Sequence, residues 1–470
     1  MWTLLAGAAL LIGACSATEQ VIFKDVVIVG GGASGSYAAV RIRDDFGKSV
    51  ALIEKKGRLG GHVDTFIDPA TGTPLDFGVK SFIDEGNATG FFDRLGIQRK
   101  HGAPSRLNTT YIDFHARKVV DFRPPTMAKQ TDALKRYLAI VEPWEHLIQP
   151  GYFNFPDPNA IPDDFLIPYG AFATKHNLEE ATPFIYQVTG LGLGNITNEL
   201  TLFVLQTFTA AMARSTLGLQ DSFVPVSGRN QDVYDAVAGV LGSDVFYNSE
   251  VFDALRTRSG VQLDIKNTET GHITTVEAKR LLVAIEPTAE NMKPFHLHRE
   301  EDDIFRKFKY TRRYAGILDT DLLGVNASYF NLPLNAAPNN YLSYPKIPYD
   351  ARIDYMGVGR YFRVNVIGDE NFEESSAKEQ VKCDIQTLID VGVVPAADDV
   401  AALDWADFSD HGPMYAHVSA KEVASGFFQK LYGLQGRSST WWAGAAWSVH
   451  YQTALWAYVD VLLPKLMQGL

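Results

Sequence analysis

His411 and His450 are the residues of this chain best placed by type to take a proton at neutral pH, because imidazole titrates there. His411 lies in Asp410-His411-Gly412-Pro413-Met414-Tyr415-Ala416-His417, a stretch that reads as turn-like and groups two histidines, a tyrosine and an acid. His450 is followed by Tyr451, and both come shortly after Gly444. The chemistry would be removal of a proton from a substrate that gives up a hydride elsewhere. Each of these side chains also has a plainer reading as a packed or surface residue. His411 and His417 are six positions apart, which suits neither one helical face nor a metal-binding pattern, so no metal is expected. Ser227-Gly228 lacks the Gly-x-Ser-x-Gly setting of a serine nucleophile.

A hydride needs an acceptor, and the N-terminal region reads as a dinucleotide site. Gly30-x-Gly32-x-x-Gly35 follows the apolar run Val26–Val29 and opens a helical pattern. Gly30 permits the tight turn, Gly32 lets the backbone approach a pyrophosphate, and Gly35 permits close helix–strand packing. The N–H groups around Ala33 and Ser34 would face the phosphates at the helix N-terminus. Glu54, nineteen residues after Gly35, ends the second strand and can accept from a ribose 2′-hydroxyl. A carboxylate there argues against NADP. Without a ligand, the same pattern would be a structural turn beside a surface acid.

These residues need a frame. Residues 26–29 and 49–54 read as parallel strands around a helix from Ala33 to about Phe46. Leu134, Tyr137, Leu138 and Val141 mark an amphipathic helix near 126–147. Residues 150–168 read as a loop, and 182–216 as helix in two pieces split at Gly190–Gly194. Strands are expected at 245–247, 251–256, 261–265, 273–276 and 280–285, with mixed strands over 310–368. A helix follows near 376–391 and a last one over 447–465. The order predicts an α/β fold: a Rossmann-like nucleotide-binding domain built from separated segments, with an inserted α+β substrate domain.

Composition limits the alternatives. The length of 470 residues favours more than one domain. With 43 basic and 55 acidic residues, the net charge of −12 lacks the basic footprint of a nucleic-acid binder. Two cysteines, Cys15 and Cys383, cannot build a disulfide scaffold. Cys383, in a helix-like stretch, reads as a buried thiol without a role. Residues 2–14 are uncharged and apolar, followed by Ala14, Ser16 and Ala17. This reads as a signal peptide of about residues 1–17 and a secretory route, although no Lys or Arg precedes the run. Ile12-Gly13-Ala14-Cys15 as a lipoprotein site, or an uncleaved tail, are the alternatives. Sequons at Asn87, Asn108, Asn195 and Asn326 agree with a secreted glycoprotein. The stretch 441–463 carries His450, Gln452 and Asp460 and reads as a buried helix, so no membrane span is expected.

Lys55-Lys56-Gly57-Arg58-Leu59-Gly60-Gly61-His62, after Glu54, resembles the second FAD contact of the flavin-containing amine oxidase superfamily. Leu75-Asp76-Phe77-Gly78-Val79-Lys80 resembles that family's turn beside the flavin ring. Trp441-Trp442-Ala443-Gly444 resembles its closing motif, and Asn248-Ser249-Glu250-Val251 the strand that meets adenine. The resemblance implies FAD, held by Gly30, Gly32, Ala33, Ser34, Gly35, Glu54, Lys55, Arg58, Gly60, Gly61, His62, Gly78, Val79, Val251 and Gly444. It implies an FAD domain over 22–100, 225–290 and 430–466, and a substrate domain over 101–224 and 291–429. GGHVDT, with its His62, and the DFG turn most resemble fungal FAD oxidoreductases of the β-cyclopiazonate dehydrogenase type, which act on prenylated or indole-derived compounds. His62 can contact a phosphate or the flavin, play a structural part, or carry FAD covalently.

The chain departs from amine oxidases at His62, at Ala446 and at Tyr314–Leu318, which has no lysine. Carbon oxidation is therefore expected at least as much as amine oxidation. The reading is FAD-dependent oxidation of a small hydrophobic metabolite, cyclising it in some cases, with oxygen as acceptor and His411, His450 and Tyr451 as candidate catalytic groups. The alternatives are an amine or prenyl-thioether oxidase, a redox-neutral flavin isomerase, and a non-catalytic flavin-binding protein.

Overall fold

The computed structural model of the protein describes residues 20–102, 106–395 and 403–470; the apolar N-terminal run with Cys15 lies outside them. The chain opens with β1 (Gln20–Val29), α1 (Ala33–Phe46) and β2 (Val50–Ile53). A short pair, β3 (Asn108–Asp113) and β4 (Lys118–Val119), precedes a helical region that begins with α2 (Met127–Val141). Then come β5 (Val245–Phe246), β6 (Ser249–Thr257), β7 (Gly260–Asn267) and β8 (Ile273–Val283). They are followed by β9 (Lys309–Asp319), β10 (Ala327–Asn331), β11 (Tyr349–Tyr355), β12 (Tyr361–Asp369) and α3 (Glu374–Asp390). The chain ends with β13 (Asp404–His417), β14 (Thr440–Trp442) and α4 (Gln452–Met467).

Two seven-stranded sheets carry the molecule. The first has the order β5-β2-β1-β8-β7-β6, with β14 also paired to β8. Its core is parallel: β1 lies between β2 and β8, while β6 and β7 add an antiparallel edge. Val26, Val27 and Ile28 are fully buried, the pattern of a strand covered on both faces. α1 and α4 pack together beside it through stacked Tyr37 and Trp456, 5.6 Å apart. α1 ends where Gly47 takes φ 60°, a left-handed cap that closes helices readily. The second sheet has the order β13-β9-β12-β11-β10-β3-β4 and is antiparallel except at β10–β3. One face of it, with Tyr314, Phe362, Val364 and Val366, buries against Ala377, Val381 and Ile385 of α3.

Several expectations are corrected. The two strands expected at 273–276 and 280–285 are one strand, because the polar Glu277 and Lys279 are alternate positions of β8, not a break. Residues 182–216 form three short helices, Thr182–Val188, Thr201–Thr207 and Ala210–Thr216, the last capped by Thr209. The stretch containing His411 is a long strand, not a turn; irregular pairing with β9 absorbs Gly412 and Pro413. The last helix starts at Gln452, after a short 3-10 turn at Ala445–Trp447. Cys383 is exposed on α3. Asn108 and Asn326 are exposed, whereas the Asn195 amide donates to the Tyr344 carbonyl. No helix among the described residues is long and apolar enough to cross a membrane.

One buried ion pair ties the edge of the first sheet to the chain that leaves it. Arg256 of β6 forks onto Glu301 at 2.9 and 2.7 Å, and its Nε donates to the Phe295 carbonyl. Their side chains are 2% and 1% exposed. Removing one partner of such a pair strands the other charge. Glu301→Ala should therefore lower stability by about 3–5 kcal/mol in urea unfolding. A loss near zero would show that water reaches the guanidinium.

Candidate active site

The glycine turn after β1 is built to let backbones touch. Gly30 has φ 102°, and a Cβ on it would lie 2.8 Å from the Ala284 carbonyl oxygen. A Cβ on Gly35 would lie 1.9 Å from the Gly30 carbonyl oxygen. No side chain caps α1 at Gly32, and the Ser34 hydroxyl in its first turn is buried without a partner. Gly61, with φ 59°, faces this turn; its Cβ would come within 3.0 Å of the Gly32 Cα. Glu54 receives the Gly31 N–H at 2.7 Å and the Lys56 N–H at 2.8 Å. Uncapped donors, an orphaned hydroxyl and two glycine surfaces meeting face to face fit the diphosphate and ribose of a dinucleotide.

The other expected contacts surround this cradle. A Cβ on Gly78 would lie 2.1 Å from the His62 carbonyl oxygen, so the DFG turn presses directly on the second glycine motif. The Val79 carbonyl accepts from Asn230 at 2.8 Å. Gly60 packs on Gln231 and Tyr234. Gly444, with φ 109°, follows β14 and lies against Ala284, the same residue that confines Gly30. Val251 is half-buried on β6, and Lys55 is exposed. Arg58, expected among the residues that hold FAD, is instead committed to protein: it donates to the Val63 carbonyl at 2.7 Å and to Gln231 at 3.1 Å, and pairs with Asp64. With Asp64, Gln231, Asp407 and Phe408 it lines a cleft of about 290 Å³.

Three of the singled-out histidines come together. The His62 ring stacks on His411, with centroids 4.8 Å apart, and on His450 at 6.3 Å. Asp64 is the hub: its Oδ2 meets His411 Nε2 at 2.7 Å. Burial alone would raise the Asp64 carboxyl, but the bond to His411 and the charges of Arg58 and Lys56 hold it well below the carboxylate range. An ionised Asp64 can only accept, so His411 carries its proton on Nε2. Burial keeps that ring neutral, and its Nδ1 is buried without a partner. His450 has the opposite tautomer, because its Nε2 accepts the Tyr415 N–H at 2.7 Å and leaves the proton on Nδ1. Burial lowers His450 to about 3. Burial also lowers His62, with His411 and His450 adding to the effect. The site thus offers one open lone pair and one ring N–H.

Tyr451 does not join them. From its place at the start of α4, its hydroxyl donates to Glu85. Three residues not singled out from the sequence do matter. Asp64 was legible, two positions after His62 in the same motif. Gln231 bridges Arg58 and the Leu59 carbonyl. Glu286, just beyond β8, lies 3.8 Å from His450 Nε2 with one carboxyl oxygen unpartnered. Nothing local marks these last two.

A glycine-lined nucleotide cradle set beside a buried histidine cluster at the junction with a second sheet defines a dinucleotide-dependent oxidoreductase. Residues 28–95 match the NAD(P)-binding Rossmann-like domain family. The FAD-dependent oxidoreductase pigF of Monascus ruber is 33% identical, over 96% of this chain and 94% of that protein. The FAD-dependent oxidoreductase oblC of Cochliobolus heterostrophus is 32% identical, over 96% and 93%. The beta-cyclopiazonate dehydrogenase of Aspergillus flavus is 29% identical, over 95% and 94%. The chain belongs to this family of FAD-dependent oxidoreductases, and its cofactor is FAD. Among solved structures, a fatty acid isomerase from P. acnes superposes with TM-score 0.72 at 16% identity, covering 94% of this chain and 99% of that one. Putrescine oxidase does so with TM-score 0.62 at 16% identity, covering 95% and 100%; these two show the shared fold.

Glu286 and His450 give the site a pH signature. Burial raises Glu286 to about 8 from an ordinary 4.5. Between those values the folded protein keeps a proton that the unfolded chain has lost, so stability falls as pH rises. His450 acts in the other direction: between 6.5 and about 3 the unfolded chain gains a proton that the folded protein refuses, so stability falls as pH falls. The two oppose each other from 4.5 to 6.5; from 6.5 to 8 only Glu286 of this pair acts, alongside Asp384 elsewhere in the protein, which burial also raises to about 8. In that upper window Glu286→Gln should remove a decline of up to about 1.4 kcal/mol per pH unit, measured by denaturation of the FAD-loaded protein. An unchanged slope would mean that Glu286 is already ionised.

Proposed function

We propose that this enzyme oxidises a small, largely apolar secondary metabolite by removing a hydride and a proton, with oxygen taking both electrons as peroxide. The observation that carries the reading is the open Nδ1 of His411, neutral and held in one tautomer by Asp64. FAD, when bound, supplies the hydride acceptor at N5 of its ring. His411 Nδ1 accepts the substrate proton, and Asp64 stabilises the imidazolium that results. His450, with its proton on Nδ1, offers a hydrogen bond to a substrate oxygen or nitrogen. The burial that keeps both rings neutral also excludes water from the reacting atoms.

Similarity to a protein named beta-cyclopiazonate dehydrogenase supports dehydrogenation as the reaction of this chain. The absence of a lysine in Tyr314–Leu318 of β9 supports oxidation at carbon. We assign FAD as held without a covalent bond, by the glycine cradle, Glu54 and Gly61. A secretory route through the apolar N-terminal segment belongs to the same proposal.

The test uses FAD-loaded protein with a panel of prenylated and indole-derived compounds. Bleaching of the flavin band without air, and peroxide in air, are the readouts. His411→Ala should keep its FAD and reduce the flavin about 10²–10⁴-fold more slowly, with Asp64→Asn close behind. Wild-type rates in His411→Ala would remove this base. Reduction without peroxide in air would remove oxygen as acceptor. Acid precipitation should send the yellow colour into the supernatant; colour left in the pellet would point to His62 as an attachment site.

A further inference from the structure

The second sheet has a charged face. Its far side packs on α3, so alternate residues of β9 and β12 look the other way, toward His411 and the DFG turn. That side carries Arg313 of β9, Arg363 of β12 and, past an irregular register, Arg352 of β11. Arg313 pairs opposite the His411–Gly412 stretch of β13. Arg352 and Arg363 are 11% and 16% exposed.

One carboxylate serves two of the three arginines. Asp354 Oδ2 lies 2.6 Å from Arg352 Nε and 3.1 Å from Arg363 Nη2, while its Oδ1 takes the Ser328 hydroxyl. Arg313 donates to the neutral amide oxygen of Asn365 and lies beside the Tyr415 hydroxyl. The Nε of Arg363 is buried with no hydrogen-bond partner. Lys80 and Asp76 approach from the DFG turn and offset each other. Asp350 and Asp384, on the α3 side, are pushed up by burial, Asp384 to about 8, which weakens the negative charge they offer the arginines. Burial, with Arg352 and Arg313 alongside, lowers Arg363 to about 10 although Asp354 pulls the other way. Three partly buried guanidiniums with one carboxylate among them leave a positive charge that poorly hydrated surroundings penalise unless an anion arrives.

We propose that Arg313, Arg352 and Arg363 bind an anionic oxygen group of the substrate, a carboxylate or an ionised acidic enol, and so fix its carbon skeleton against His411. The guanidinium fork matches two oxygens of one acid. Phe330, beneath Arg352, and Ala315 and Tyr361 on the same side suit an apolar body attached to that acid. This deepens the proposed oxidation of a small metabolite and rests on it.

Cinnamate and cinnamamide, alike in shape and different in charge, are the probes, read by calorimetry on FAD-loaded protein. Wild type should bind the acid at least about tenfold more tightly than the amide. Arg363→Met should erase the preference, keep full FAD content and raise Tm by a few degrees, because it relieves buried like-charge repulsion. Arg313→Gln, which can still bond Asn365, should erase it too and serves if Arg363→Met does not fold. Equal binding of acid and amide by wild type would overturn the proposal. So would loss of FAD from Arg363→Met, which would make the cofactor the anion, or a lowered Tm with the preference intact, which would make the cluster structural. Binding needs no turnover: acid preference without peroxide from any compound would sink the oxidase reading alone. Peroxide from neutral compounds without acid preference would sink the anion site alone.

Discussion

The closeness of Gly35 to Gly30 governs the rest of this structure. With 1.9 Å between an added carbon and the Gly30 carbonyl oxygen, no other residue at position 35 lets α1 start where it does. That start leaves the first turn of α1 without a side-chain cap and brings Gly32 against Gly61. Gly61 in turn sets His62, whose carbonyl is pinned by Gly78. The nucleotide cradle and the first histidine of the site are therefore one continuous set of backbone contacts. A shift in the glycine turn would move the chemistry as well as the cofactor.

Burial does the remaining tuning. Asp64, His411, His62 and His450 come from three stretches of chain, and the two sheets close over them. In water each imidazole would be partly protonated at neutral pH; here desolvation keeps them neutral. One charge is retained, on Asp64, because His411 and Arg58 hold it. The outcome is a fixed tautomer and an open lone pair, which are the properties a proton acceptor needs. Tyr415, at φ 56°, presents its N–H to His450 from a conformation that non-glycine residues rarely take.

Much of the fold was legible. The run of buried valines, the glycine spacing and Glu54 place α1, β2 and the end of β1 within a residue of where they lie, because these signals are local, whereas β1 begins six residues before the apolar run, at Gln20, where it pairs with β8. The readings that failed depended on partners. Asp410–His417 looks like a turn from its Gly-Pro pair, yet β9 supplies a strand to pair with and the irregular register accommodates both residues. The long helix after Gly444 starts later than the apolar pattern implies, because the backbone first makes a separate turn over Ala445–Trp447.

The sequence by itself determined that this chain holds a dinucleotide on a parallel sheet, that the cofactor motifs are those of a flavin enzyme, and that His62, His411 and His450 were worth singling out. Those facts sit in residues close along the chain, where spacing encodes backbone geometry. Only the tertiary structure decided that the three histidines stack while Tyr451 turns to Glu85, that Arg58 serves Asp64, and that Glu286 faces His450. It alone set two arginines on a single aspartate with a third beside them on a neutral amide. Proton affinity and charge balance depend on which groups share a dry space, and in this protein those groups are up to several hundred residues apart in the chain.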